Sequence, residues 1–169
     1  MDSEQLRSIQ TPLKARYRAA PASALITLHA EGRLGTEAVS CSVQTGRALV
    51  EAGLHEFSGG SGTLACSGDM LLQALVACAG VTLVSVATNR DITVSGWVRA
   101  EGDLDFRGTM GVARDAPVGF TAVRVLFDIE SDADPATLEE VIAQTRRFCV
   151  VYQTLVTPPE MTMTRTPGA

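Results

Sequence analysis

The sequence predicts an α+β protein, and three observations carry that expectation. Candidate strands come in groups instead of alternating singly with helices, which separates the class from a doubly wound α/β fold. The run from Met70 to Ala87 carries no charged residue and reads as one long apolar helix. A second, amphipathic helix opens at Asp134-Pro135, an acidic N-cap followed by proline at the first helical position.

The elements follow in chain order. Residues 1–21 form a polar lead-in segment, at most a short helix, broken at Pro12 and ending before Pro21. Residues 22–169 are read as a single domain. Ala24–Ala30 is compatible with a strand, Glu31-Gly32-Arg33-Leu34-Gly35 with a turn. Glu37–Gln44 resumes as a strand with Val39, Cys41 and Val43 on one face. Thr45-Gly46 is a turn signal, and a short strand follows around Ala48–Glu51. Gly53–Gly68 is a glycine-rich loop. The long helix then starts with Ser67 as N-cap and Asp69 in its first turn, where a negative charge suits the helix dipole. Asn89 marks its stop. Ile92–Arg99 alternates as a strand, Gly102–Gly119 is a long turn-rich connection, and Val123–Glu130 alternates as a half-buried strand. In the helix after Asp134, Leu138, Val141, Ile142 and Thr145 recur at helical spacing and present one apolar face. Cys149 falls at its junction with a second short helical turn, which Pro158-Pro159 ends. Met161 and Met163 alternate with Thr162 and Thr164 as a closing edge strand.

Composition excludes several function classes. Fourteen Lys and Arg against nineteen Asp and Glu give a formal charge of −5. The basic residues are scattered, so no nucleic-acid surface is expected. The uncharged helix has the length of a membrane span, but Gln73, Thr82 and Ser85 interrupt it and no second span accompanies it. The expectation is a helix buried on every side, wrapped by a sheet and a second subunit. The start Met1–Gln5 lacks both a basic and an apolar stretch, so no signal peptide is expected. A reducing cytoplasmic location follows, with the four cysteines as thiols. His29 and His55 lie far from any cysteine pair and no Cys-x-x-Cys spacing exists, so neither a metal nor another cofactor is expected.

The cysteines pose the functional question. Cys41 sits on the apolar side of a strand, and Cys66 lies in the glycine loop just before the long helix. Cys78 lies within the apolar run and Cys149 follows Arg146-Arg147-Phe148, 71 residues later (149 − 78). Taken one at a time, Cys41, Cys78 and Cys149 read as packed apolar side chains, since free cysteine is among the most buried residue types, while Cys66 in its loop reads as partly exposed. A reactive thiol needs a lowered pKa, and no cation stands next to Cys78 in sequence.

The segment Ser67-Gly68-Asp69-Met70-Leu71-Leu72-Gln73-Ala74-Leu75-Val76-Ala77-Cys78 resembles the first cysteine motif of the OsmC/Ohr family. Arg147-Phe148-Cys149-Val150-Val151-Tyr152-Gln153-Thr154-Leu155 resembles the second. The order of elements is similar too, over about residues 22–165. The resemblance implies an OsmC-like fold, antiparallel sheets wrapped around a long buried central helix, as an intertwined homodimer. It implies a peroxidase acting in oxidative-stress defence on organic hydroperoxides or hydrogen peroxide, regenerated by a dithiol reductant. Cys78 would become a sulfenic acid and Cys149 would condense with it to a disulfide. Arg33 is the nearest match by topological place to the activating Arg. Gly68 stands where the hydroperoxidase branch has Glu, with Asp69 as the neighbouring carboxylate, and Val150 stands where the family usually has Pro. The alternative is a non-catalytic protein holding a small apolar ligand in the dimer-interface pocket. A hydrolase with Cys78 as covalent nucleophile is disfavoured, because neither motif has a nearby His.

Overall fold

A computed structural model describes residues 2–20, 32–34, 40–44, 49–111 and 113–165. The strand read at Ala24–Ala30 and the turn at Thr45-Gly46 lie outside them.

The lead-in is one helix, α1 (Ser3–Ala19), running through Pro12 instead of breaking there. A capping box secures its start: Asp2 accepts from the Gln5 N–H at 2.8 Å while the Gln5 side chain accepts from the Asp2 N–H at 3.1 Å. Pro12 removes one intrahelical donor, and the turns on either side persist. Arg7 ties α1 to the rest of the chain, reaching the Asn89 carbonyl and the Asp91 carboxylate, each at 2.9 Å. The helix ends ahead of Pro21, which disfavours helical backbone at Ala20.

Two sheets follow. In the first, β1 (Gly32–Leu34), β2 (Ser40–Gln44) and β3 (Leu49–Gly53) are antiparallel neighbours. Gly32-Arg33-Leu34 is thus a strand, not a turn, because its backbone pairs with Val43, Ser42 and Cys41. A two-residue strand, β4 (Ala65–Cys66), adds in parallel to β3. The second sheet joins β5 (Ser95–Leu104) and β6 (Phe120–Glu130) in one long antiparallel ladder. β5 starts later than the alternation from Ile92 suggested and runs through Gly102. That shortens the connection to Asp105–Gly119, which includes a one-turn helix α3 (Phe106–Thr109).

The central helix α2 (Ser67–Asn89) begins one residue earlier than expected. Ser67 is its first residue, and the cap position is Cys66, whose side chain makes no capping hydrogen bond. Leu75, Ala79, Leu83 and Ala87, spaced four apart, form a stripe at most 3% exposed. Val98, Ala100, Val125, Phe127 and Ile129 of the second sheet cover it together with Val141 of α4 (Pro135–Phe148). Among the described residues α2 is the one helix long and apolar enough to cross a membrane. It is not buried on every side within one chain: Val81 is 73% exposed and Val84 53%.

The end of the chain departs from the alternation at Met161 and Met163. After α5 (Val150–Val156) the backbone through Arg165 is neither helix nor strand. Both methionines are exposed. Alternation alone makes no strand where no neighbour supplies a ladder of hydrogen bonds.

Candidate functional site

Two regular stripes bring Cys78 and Cys149 together. In α4, Asp134 caps the helix by accepting from the Thr137 N–H at 3.0 Å, and Pro135 opens it. Val141, Thr145 and Cys149 then follow one another at steps of four, each at most 1% exposed. The Thr145 hydroxyl is satisfied by the Val141 carbonyl at 2.8 Å. Cys149 donates its own N–H to Thr145 at 2.9 Å. It then leaves helical geometry at ψ 109°, and its carbonyl accepts the first bond of α5 from Gln153 at 2.9 Å. One residue therefore ends α4 and starts α5. Cys149 packs in one cluster with Leu75 and Ala79, and Cys78, on the flank of the same α2 stripe, packs against it.

The two thiols stand side by side and are driven apart in acidity. Burial pushes the Cys78 thiol up. The N–H groups of Val151 and Val150, at the start of α5, and the Cys149 side chain outweigh it and hold the group below its ordinary value. Thr82 contributes least, and its hydroxyl donates to the Cys78 carbonyl at 2.7 Å. Cys149 moves the other way. Burial raises it above the ordinary range, as does its place beside Cys78, although the Tyr152 and Val151 N–H groups oppose this. The pair favours a thiolate at Cys78 and a retained proton at Cys149. Both are free thiols.

Asp69 and Cys66, also picked out in the sequence, stand away from this contact. Asp69 is exposed in the first turn of α2, nine residues before Cys78. At 1.5 Å per residue that is roughly 13 Å along the axis and half a turn around it. Arg33 lies in β1 opposite Ser42, and its side chain is outside the described residues, as is that of Cys41 in β2. Cys66 is half-buried at the start of α2 and has no part in the contact. No Lys or Arg is among the leading influences on the Cys78 thiol, and among the described residues no group of three or more His, Cys, Asp or Glu could hold a metal ion.

The groups that sequence reasoning missed are main-chain ones. A Cys at an N-cap, followed by two residues with free N–H groups, is the pattern that could have signalled the Val150 and Val151 donors. Thr82, four residues after Cys78, was readable from helical spacing alone.

A family model described as OsmC-like protein matches residues 60–164, a span that holds both cysteines of the contact. No curated protein matches the sequence. Solved structures share the fold. An OsmC like protein from Mycoplasma pneumoniae superposes with TM-score 0.64 at 16% identity, covering 79% of this chain and 89% of its own. An organic hydroperoxide resistance protein OsmC from Legionella pneumophila gives 0.59 at 16% identity over 79% and 92%. The organic hydroperoxide resistance protein OhrB of Bacillus subtilis gives 0.52 at 18% over 80% and 94%.

Proposed function

We propose that this chain, which belongs to the OsmC-like protein family, is a thiol-dependent peroxidase with Cys78 as the peroxidatic and Cys149 as the resolving residue. The observation that carries this reading is the contact between two free thiols 71 residues apart in sequence (149 − 78), one held below and the other above its ordinary pKa. Similar solved structures include two organic hydroperoxide resistance proteins, which favours an organic hydroperoxide over hydrogen peroxide as substrate.

The Cys78 thiolate attacks one peroxide oxygen. An S–O bond forms as the O–O bond breaks, and the alkoxide leaves and takes a proton from water. Cys78 is then a sulfenic acid. Cys149 sulfur attacks Cys78 sulfur, the S–O bond breaks, and hydroxide leaves with the Cys149 proton as water. A dithiol reductant returns two electrons and two protons, restoring both thiols and becoming a disulfide itself. Every step is carried by the two thiols and the N–H groups around them, without a metal or organic cofactor. The resemblance adds Arg33 as a further charge on the thiolate. Asp69, half a turn away from Cys78 around α2, is given no step.

The working unit in this reading is a homodimer in a reducing cytoplasm, with the exposed face of α2 against a second copy instead of lipid. Peroxide consumption with a dithiol tests the chemistry. Wild type is expected to turn over cumene hydroperoxide and Cys78→Ser to lose all activity, while Cys149→Ser, mixed with peroxide without the dithiol, should consume about one equivalent and accumulate a trappable sulfenic acid. Equal rates in wild type and Cys78→Ser would end the proposal. Arg33→Ala measures how much of the thiolate's stability comes from that side chain.

A further inference from the structure

A ring-walled pocket of about 260 Å³ opens at the start of α2, apart from the cysteine contact. His55, Phe57, Phe106 and Phe120 wall it, with Cys66 and Asp69 in the lining. Three of the rings hold one another: His55, Phe57 and Phe106 have centroids 5.0, 5.3 and 5.5 Å apart. Phe57 stands at 71° to His55 and 82° to Phe106, so the rings form a corner. The corner is pinned at both ends. His55 Nδ1 accepts the Phe57 N–H at 3.1 Å, and Asp105 caps the turn that begins at Phe106. Phe120 closes the far side where two glycines admit it. A Cβ on Gly102 would stand 2.6 Å from its ring, and one on Gly68 3.3 Å.

The charge in this pocket is one-sided. Asp69 is the lone carboxylate of the lining, which holds no Lys or Arg. Two nearby carboxylates outside the lining are neutralised within the chain, Asp103 by Arg124 and Asp105 by Arg107. The Asp69 carboxylate makes no hydrogen bond or ion pair with any described residue. Aromatic faces carry negative electrostatic potential and attract organic cations. An anion would be repelled by Asp69, whereas a cation would be attracted both by that carboxylate and by the ring faces.

We propose that this pocket binds a small organic cation of the alkylammonium or quaternary ammonium class, its head group in the corner of Phe57 and Phe106 and its charge facing Asp69. The site is separate from the peroxidase reading and stands without it.

Cys66 supplies a local readout, being a free, half-buried thiol in the lining. The full-length protein is alkylated with iodoacetamide and the modification of each cysteine is followed by peptide mass spectrometry. The probes are choline and its neutral isostere 3,3-dimethylbutan-1-ol. Choline is expected to slow Cys66 alkylation saturably, about fivefold or more, while the Cys78 rate is unchanged. The isostere protects less. Asp69→Asn brings choline down to the level of the isostere, Asp69→Glu restores the difference, and Phe106→Leu weakens protection by both. Equal protection by the two compounds in wild type would overturn the proposal, as would a choline preference that survives Asp69→Asn, or no protection by choline at all.

Discussion

Val150 supplies one of the backbone donors that hold the Cys78 thiol down, beside Val151 and the Cys149 side chain. It is the first residue of α5, so its N–H has no intrahelical acceptor and is free to donate to the Cys78 sulfur. Proline fits the same position without breaking the helix. The preceding residue already has the extended backbone that proline demands, Cys149 at φ −71°, ψ 109°. Val150→Pro therefore deletes one donor and leaves α5 in place. Losing a stabiliser of the thiolate raises the Cys78 pKa, so the rate of oxidation by peroxide should rise with pH later than in wild type. Below both midpoints the variant is slower, while Val150→Ala, which keeps the N–H, follows the wild-type profile. Stopped-flow oxidation between pH 5 and about 9, spanning the thiol range, checks it; superimposable curves for all three proteins would show that the amide does not act on the thiol. The sequence pointed to both cysteines, and to Val150 as a departure from the family pattern. It did not reveal the donors, because a backbone N–H has no signature beyond the residue not being proline.

At the scale of elements, the helices were legible and the strand bounds were not. Asp134-Pro135 fixes the start of α4 through local chemistry, and the uncharged run fixes α2 almost to the residue. β1 was read as a turn because what makes Gly32–Leu34 a strand is pairing with β2, a relation between segments that a local pattern does not encode. The reverse error at Met161 and Met163 has the same origin: alternation without a ladder. Within α2 the two faces have different energetic weight. Leu83, 3% exposed, packs with Ala87 and Val141, and Leu83→Ala should destabilise the fold by about 2–5 kcal/mol. Val81→Ala, on the exposed face, should cost under about 0.5 kcal/mol in the monomer. Urea unfolding of both variants at low protein concentration measures the difference, and equal costs would mean that the stripe is not the core.

For the whole molecule, the unfinished surface is that exposed face of α2. Ala74, Ala77, Val81 and Val84 recur at steps of three and four on the side opposite the buried stripe, and all are exposed. A soluble chain seldom leaves such a patch to water, and the small side chains Ala74 and Ala77 would allow another helix to approach closely. Cys78 lies on the flank between this face and the buried stripe, half-exposed. A second copy docked on α2 would therefore wall one side of the peroxide's path to the thiolate, and association and reactivity should change together. A charge at the centre of the patch separates the alternatives. Val84→Glu places a carboxylate where Val84 is already 53% exposed, so the monomer fold has no reason to fail. In sedimentation equilibrium, wild type should weigh about twice the 17.8 kDa chain, and Val84→Glu should shift to the single-chain mass with unchanged helical circular dichroism. The variant should also oxidise more slowly with a bulky organic hydroperoxide than with hydrogen peroxide, relative to wild type, because the apolar wall contributed by the partner is lost. A wild-type protein that stays at the single-chain mass at tens of micromolar would leave the exposed stripe without its second copy and would remove the dimer from the mechanism.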